Sequence, residues 1–296
     1  MASLTINDIL AGAAAGNAQA AHLAAVLAGN GLGMPQDWNR ALDHLQRAAE
    51  LGLPLARRQL VILSSDEGLV TAAAQTAPPP EIWKELRRSA DIAAWLRIPQ
   101  AQAQSAPARI FVAKDFVSPQ MCDWLIERAG PLLQRATVHD TSNKGMGTVY
   151  SGARTNSDCE FPLPQLDLLI VLLRARIAAI TQTHVLGMEN CSVLRYEAGE
   201  DFANHFDYLN EQSHAEEIAQ RGQRIITFLA YLSDGFEGGE TDFPTIQWRY
   251  KGAKGDALFF WNVNQMGHPD WRTLHAGRPP ASGVKWLLSQ WIRGRV

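Results

Sequence analysis

His205 and Asp207 stand two residues apart, and a third histidine, His275, and a lysine, Lys285, follow them in the chain. In extended backbone successive side chains point to opposite faces, so positions 205 and 207 look the same way and can grip one ion. Two imidazoles and one carboxylate on one face of an octahedral metal leave three positions for reactants. That is the coordination of a reactive non-haem Fe(II) centre and not of a closed structural site. The lysine downstream supplies a cation for an anionic reactant.

Short strands must position these groups. Residues 191–196, CSVLRY, read as a strand, EAGE at 197–200 as a turn, and 202–208 as an extended segment rich in aromatics. The run RIITFLAYL at 224–232 is β-branched and aromatic. GGETDF at 238–243 gives a turn and a short strand, and KGD at 254–256 turns into ALFFW. His275 precedes Ala276 and Gly277, and residues 284–292 form the last strand. Many short strands with turns between them predict a β-sandwich or barrel.

From about Arg109 to Val296 the chain resembles the prolyl 4-hydroxylase family of Fe(II)- and 2-oxoglutarate-dependent dioxygenases. The stretches that carry the likeness are LRYEAGEDFANHFDY, GQRIITFLAYLSDGFEGGETDFP, KGDALFFWN, LHAGRPP and GVKWLLSQWIRG, in the family's order and spacing. The resemblance implies a C-terminal double-stranded β-helix, or jelly roll, with supporting helices. It implies His205, Asp207 and His275 as iron ligands and Lys285 as the partner of the distal carboxylate of 2-oxoglutarate. Tyr196 and Thr241 match positions that hydrogen-bond this cosubstrate, and Trp291 matches an aromatic lining the same pocket. Arg224, and Arg154 in the segment ahead of the metal motif, are candidate substrate contacts.

The implied reaction consumes O2 and 2-oxoglutarate, releases succinate and CO2, hydroxylates the substrate, and has ascorbate as a reductant. A dicarboxylic 2-oxo acid needs a bidentate metal grip at one end and a buried cation with hydroxyl donors at the other, and Lys285 and Tyr196 meet that need. Related halogenases replace the carboxylate ligand by a small residue, so Asp207 favours hydroxylation. The expected substrate is a proline in a peptide or protein, or a small amino-acid-type molecule. The competing reading is a non-catalytic interaction protein that binds 2-oxoglutarate; three intact ligands and Lys285 favour catalysis.

The remaining histidines, His22, His44, His139, His184, His214 and His268, read as structural or surface residues, His268 lying in the loop-like QMGHP. Residues 140–156, rich in Gly, Ser, Thr and Asn, are long for a connection and are expected to close over substrate. The polar stretch 208–223 reads as a second flap or a solvated insertion.

The 296-residue chain, with 46% hydrophobic and 19% charged residues, can bury a large core. A formal charge of −3 and a pI near 6.2 offer no basic field for nucleic acid. The N-terminus lacks the pattern of a signal peptide and nothing is apolar enough to span a bilayer, so a cytoplasmic location is expected. Three widely spaced cysteines suggest neither a disulfide framework nor a zinc site.

The expected class is α+β, with a small α-helical repeat domain before the jelly roll. Residues 13–28 and 38–51 read as helices broken at Gly29–Gly31 and Gly52. Aligning Gly16 with Gly52 also brings Ala13 onto Ala49, Ala20 onto Ala56 and Leu27 onto Leu63, a period of 36. Residues 1–66 resemble Sel1-like repeats of the tetratricopeptide superfamily, which implies recruitment of a protein partner. Residues 67–108 then hold one amphipathic helix, 81–96, and a Pro/Ala/Gln-rich linker, and 109–296 form the dioxygenase domain, with supporting helices at 123–133 and 164–180.

Overall fold

The structure is a computed structural model that describes residues 5–76, 78–139, 148–149 and 152–295. The chain divides into two units, one of Met1–Ile98 with Leu163–Thr181 and one of Pro99–Pro162 with Gln182–Val296. Among the described residues no helix is long and apolar enough to cross a membrane.

The first unit is helical. Where one helix is expected over 13–28, two form, Ile6–Ala14 and Ala18–Asn30. Gly16 takes a left-handed conformation between them (φ 84°), and the Asn17 side chain caps the second by accepting from the Ala20 amide at 2.9 Å. The same junction recurs 36 residues later, between Trp38–Glu50 and Pro54–Leu63. Gly52 has φ 93°. The Gly16 and Gly52 amides donate to the Ala13 and Ala49 carbonyls, and the next amides donate to Gly12 and Ala48. Ala13, Ala49, Ala20, Ala56, Leu27 and Leu63 are all buried. The four alanines among them let the helices approach closely.

Leu168–Thr181 departs from the sequence reading, which assigns it to the catalytic domain; it clusters with the N-terminal helices. Its run LLIVLLR is buried throughout, so it has no polar face to mark one side as outward. Gln59 ties it in, accepting from the Leu168 amide at 2.8 Å while its amide nitrogen meets His22 Nε2 at 2.9 Å. The helix expected over 81–96 is two, Ile82–Ser89 and Ile92–Trp95, the second capped by Asp91. Glu67–Ala73 is a further helix that its weak apolar pattern does not announce.

The second unit carries antiparallel sheets. Among the described residues eight strands pair in the order Gln102–Ser105, Ile110–Ala113, Ala257–Trp261, Arg224–Tyr231, Lys285–Arg293, Cys191–Tyr196, Ser157–Phe161 and Gln134–Arg135. Four more pair in the order Trp248–Tyr250, Thr241–Phe243, His275–Gly277 and Phe202–His205. Residues 99–107, expected as a linker, thus contain the edge strand Gln102–Ser105, antiparallel to Ile110–Ala113. One apolar cluster joins the sheets: Leu194, Leu229, Leu258, Phe260 and Leu287 from the larger, Phe243 from the smaller, with Phe202, Trp248 and Tyr250 packed against it. Mixed helix and antiparallel sheet is therefore the architecture.

The supporting helix expected at 123–133 is Pro119–Ala129, started by Ser118, whose hydroxyl accepts from the Met121 amide. Cys122, Cys159 and Cys191 are buried, and burial pushes the Cys122 thiol up to about 12, which leaves it unreactive.

Candidate active site

His205 ends the Phe202–His205 strand and His275 begins His275–Gly277, and the two positions are register partners across the smaller sheet. Asp207 lies just beyond its strand, so the alternation expected of positions 205 and 207 stops one residue early. The turn nonetheless delivers the carboxylate. Asp207 Oδ1 is 3.5 Å from His205 Nε2 and its Oδ2 is 3.4 Å from His275 Nε2, and one atom from each residue lies within 4.8 Å of the others.

Both imidazoles are oriented through their other nitrogen. His205 Nδ1 meets the Ala203 carbonyl at 2.8 Å and His275 Nδ1 meets that of Thr273 at 3.0 Å, which turns each Nε2 toward Asp207. Phe202 stacks on His205, and Phe243 and Phe260 pack around His275. Burial and the neighbouring His275 lower the His205 pKa, favouring the neutral ring that a metal requires. Burial opposes ionisation of Asp207, yet His275 and His205 hold its carboxyl well below the usual range. The donor set fits Fe(II): two neutral nitrogens and a carboxylate oxygen converging from one side.

Thr227 and Asn262 were not legible as site residues. Thr227 Oγ1 donates to Asp207 Oδ2 at 2.6 Å and accepts from Asn262 Nδ2 at 2.9 Å, all three buried. This chain fixes the carboxylate rotamer. Thr227→Val should lower Fe(II) affinity about 10- to 100-fold, the usual effect of losing a group that orients a ligand. Anaerobic Fe(II) titration measures it, and unchanged affinity would remove Thr227 from the site.

Period-two alternation builds the cavity floor. Tyr196 pairs with Lys285, Leu194 with Leu287 and Ser192 with Ser289 in the larger sheet, and all six line the cavity that also holds His205, Asp207, His275 and Thr241. Lys285 is fully buried, and its Nζ lacks a hydrogen-bond partner among the described residues. It lies 4.9 Å from the Tyr196 ring centre and 5.6 Å from that of Tyr231. Burial pushes the ammonium down to about 7 and Glu240 opposes this. An orphaned cation in a cavity is what the far carboxylate of 2-oxoglutarate would satisfy, so this group fits as well. Tyr196 is buried, its phenol pushed up to about 12 by burial, and stays a neutral donor. Thr241 Oγ1 is 2.9 Å from the Tyr231 hydroxyl, which donates to the Tyr250 carbonyl. Tyr231 is a third residue missed at the sequence level; the alternation Thr227, Leu229, Tyr231 in an apolar strand was the signal.

Trp291 lines the same cavity. It lies six residues along the strand from Lys285, roughly 20 Å at strand rise. Its register partner is Thr227, which donates to Asp207, so it stands toward the metal end.

Arg224 does not line the cavity. It is buried, bonded through Nε and Nη2 to Glu189 at 2.7 and 2.9 Å, and stacked 3.6 Å from the Trp291 ring centre. Its expected place as a substrate contact gives way to that of a support for Trp291. Glu189 also accepts from Arg293. Burial disfavours its charge, but Arg224 and Arg293 together lower its pKa.

Arg154 does line the cavity, donating to Asn156, to Asp158 at 2.8 Å and to the Thr137 carbonyl, with its guanidinium over Phe202. Most of the loop expected to close over substrate, 140–147 with 150 and 151, lies outside the described residues. Its end is tied down, since Thr155 Oγ1 accepts from the Asp201 amide. The stretch 208–223 is no free flap: it holds the helix Ala215–Arg221, and Gln223 bonds Leu209 through both amide atoms.

Comparison with known proteins gives the same picture. The profile of the 2OG-Fe(II) oxygenase superfamily matches residues 191–293. Prolyl 4-hydroxylase 1 of Arabidopsis thaliana is 35% identical over 202 residues, 64% of this chain and 70% of the relative. Prolyl 4-hydroxylase 2 of the same plant is 35% identical over 212 residues, covering 64% and 69%. Among solved structures, a viral collagen prolyl hydroxylase from Paramecium Bursaria Chlorella virus-1 is 27% identical with a TM-score of 0.48, covering 64% of this chain and 97% of that one. The paired imidazoles and carboxylate, the orphaned lysine behind them and the extent of the matches to the two plant relatives converge: the chain belongs to the prolyl 4-hydroxylase family of Fe(II)- and 2-oxoglutarate-dependent dioxygenases.

Proposed function

We propose that the chain hydroxylates proline within a peptide or protein, on a double-stranded β-helix formed by its second unit. The observation that carries this reading is Lys285, a buried amino group whose Nζ lacks a hydrogen-bond partner among the described residues, in the cavity that holds His205, Asp207 and His275. Bound Fe(II) supplies the coupling of 2-oxoglutarate decarboxylation, to succinate and CO2, with insertion of oxygen into a C–H bond. The protein does the rest by binding and orientation.

In this reading His205, Asp207 and His275 hold the metal, and Thr227 and the Ala203 and Thr273 carbonyls keep the three groups aimed. Lys285 takes up a proton as it receives the distal carboxylate, with Tyr196 as a hydroxyl donor, and Thr241 turns its proton toward the carboxylate only by releasing the Tyr231 hydroxyl, to which it otherwise donates. Leu194 and Leu287 exclude water between the two ends. Trp291, braced by Arg224, forms the wall for the substrate's ring, with Arg154 at its side. The relatives named as prolyl 4-hydroxylases are the reason to choose proline. The N-terminal helices act as Sel1-like repeats that recruit a protein partner, supported by the junction repeated at Gly16 and Gly52.

Succinate formation tests the reading. Proline-containing peptides should raise 2-oxoglutarate turnover well above the peptide-free rate, and their alanine counterparts should not. Equal stimulation by both would place the target elsewhere than proline.

A further inference from the structure

The strand Ser157–Phe161 turns Asp158 and Glu160 to the cavity and Cys159 and Phe161 to the opposite, buried face. Its outer neighbour Gln134–Arg135 pairs only with Asp158 and Ser157, so Glu160 stands past the end of that cover and is exposed. Cross-strand pairing continues from Glu160 to Ser192 and on to Ser289. A carboxylate and two hydroxyls thus form one row across the floor, one step along the strand from Trp291.

Charge balance then singles out Glu160. Among the described residues the charged side chains lining the cavity, besides the histidine ligands, are Arg154, Asp158, Glu160, Asp207 and Lys285. In the loaded site the charges of Fe(II) and Lys285 offset those of Asp207 and the 2-oxoglutarate dianion. Arg154 offsets Asp158 at 2.8 Å. Glu160 has a neutral partner, the Asn190 amide, at 3.2 Å. Arg128 stacks over the Phe161 ring, on the other face of the strand. One negative charge is left, at the open edge of the cavity.

We infer that Glu160 sets substrate preference, receiving a cationic side chain that flanks the target proline, so that the enzyme selects lysine- or arginine-flanked prolines over acidic ones. Ser192 and Ser289 add hydroxyl acceptors along the same row. The inference rests on the prolyl hydroxylase reading for its substrate, and on the cavity lining for its residue.

The test uses peptides that differ only in one residue beside the proline: lysine, alanine or glutamate. Isothermal titration in anaerobic solution with Fe(II) and 2-oxoglutarate reads binding, and kcat/KM reads turnover. Wild-type protein should favour lysine over glutamate by about tenfold in both, as for a partly exposed charge pair. Glu160→Gln should level the series, Glu160→Asp should keep the order and Glu160→Lys should reverse it. Equal binding of the three peptides by wild-type protein, or full discrimination by Glu160→Gln, would overturn the inference. If the peptides bind in the expected order but none is hydroxylated, the assignment of Glu160 stands and the prolyl hydroxylase reading fails.

Discussion

Asp207→Ala abolishes hydroxylation, with turnover lower by at least about a thousandfold and Fe(II) affinity lower by roughly a hundredfold or more. The carboxylate is the one anionic ligand, its oxygens 3.5 and 3.4 Å from the Nε2 atoms of the two imidazoles. Without it two neutral rings face the metal. The fold should survive. Asn262 still donates to Thr227 at 2.9 Å, so the lost acceptor of one hydroxyl costs only about 1–3 kcal/mol. Metal titration with thermal unfolding of the same sample separates the effects. Wild-type turnover by this variant would refute the ligand assignment.

Lys285→Met has two opposed effects. Affinity for 2-oxoglutarate should fall by about a hundredfold or more, because the distal carboxylate would be buried without its counter-charge. The ligand-free protein should become more stable. Burial lowers the Lys285 pKa from 10.5 to about 7. The unfolded chain therefore binds more protons than the folded one between those values, and folded-state stability declines as pH falls from 10.5 toward 7. At and below pH 7 the full penalty is present, on the order of 5 kcal/mol at about 1.4 kcal/mol per tenfold. Methionine removes it, so the melting temperature at pH 7 should rise by several degrees and the gain should shrink toward pH 10. The same titration makes wild-type binding of 2-oxoglutarate weaken as pH rises above 7, with proton uptake visible when calorimetry is repeated in buffers of different ionisation heat. A variant that melts lower at pH 7 and binds 2-oxoglutarate normally would contradict both claims.

His275 and Lys285 were readable from the sequence because each belongs to a dense motif. His275 stands before Ala276 and Gly277, and Lys285 lies between Val284 and Trp286, where an exposed lysine is out of place. Strand Cys191–Tyr196 and strand Ala257–Trp261 begin and end where β-branched and aromatic character does. What was hidden depends on pairing across the chain. Thr227 looks like an ordinary strand residue until Asp207 is set against it, 20 positions away. Arg224 looks like a free cation until Glu189 takes it up. Trp291 shares the cavity with Lys285, yet the length of one strand keeps the two apart. The helix Leu168–Thr181 opens with six apolar residues in a row, so periodicity had no face to assign. Small junction residues such as Gly16 broke a helix that alanine content alone would have continued.

The central claim is that His205, Asp207 and His275 support hydroxylation of a prolyl residue. Mass spectrometry of a proline-containing peptide, incubated with the protein, Fe(II), 2-oxoglutarate and O2, tests it most directly. The expected product is heavier by one oxygen on the proline, absent when either Fe(II) or 2-oxoglutarate is withheld and absent with Asp207→Ala. An unchanged proline across a broad peptide panel, or oxidation that persists in Asp207→Ala, would contradict the account.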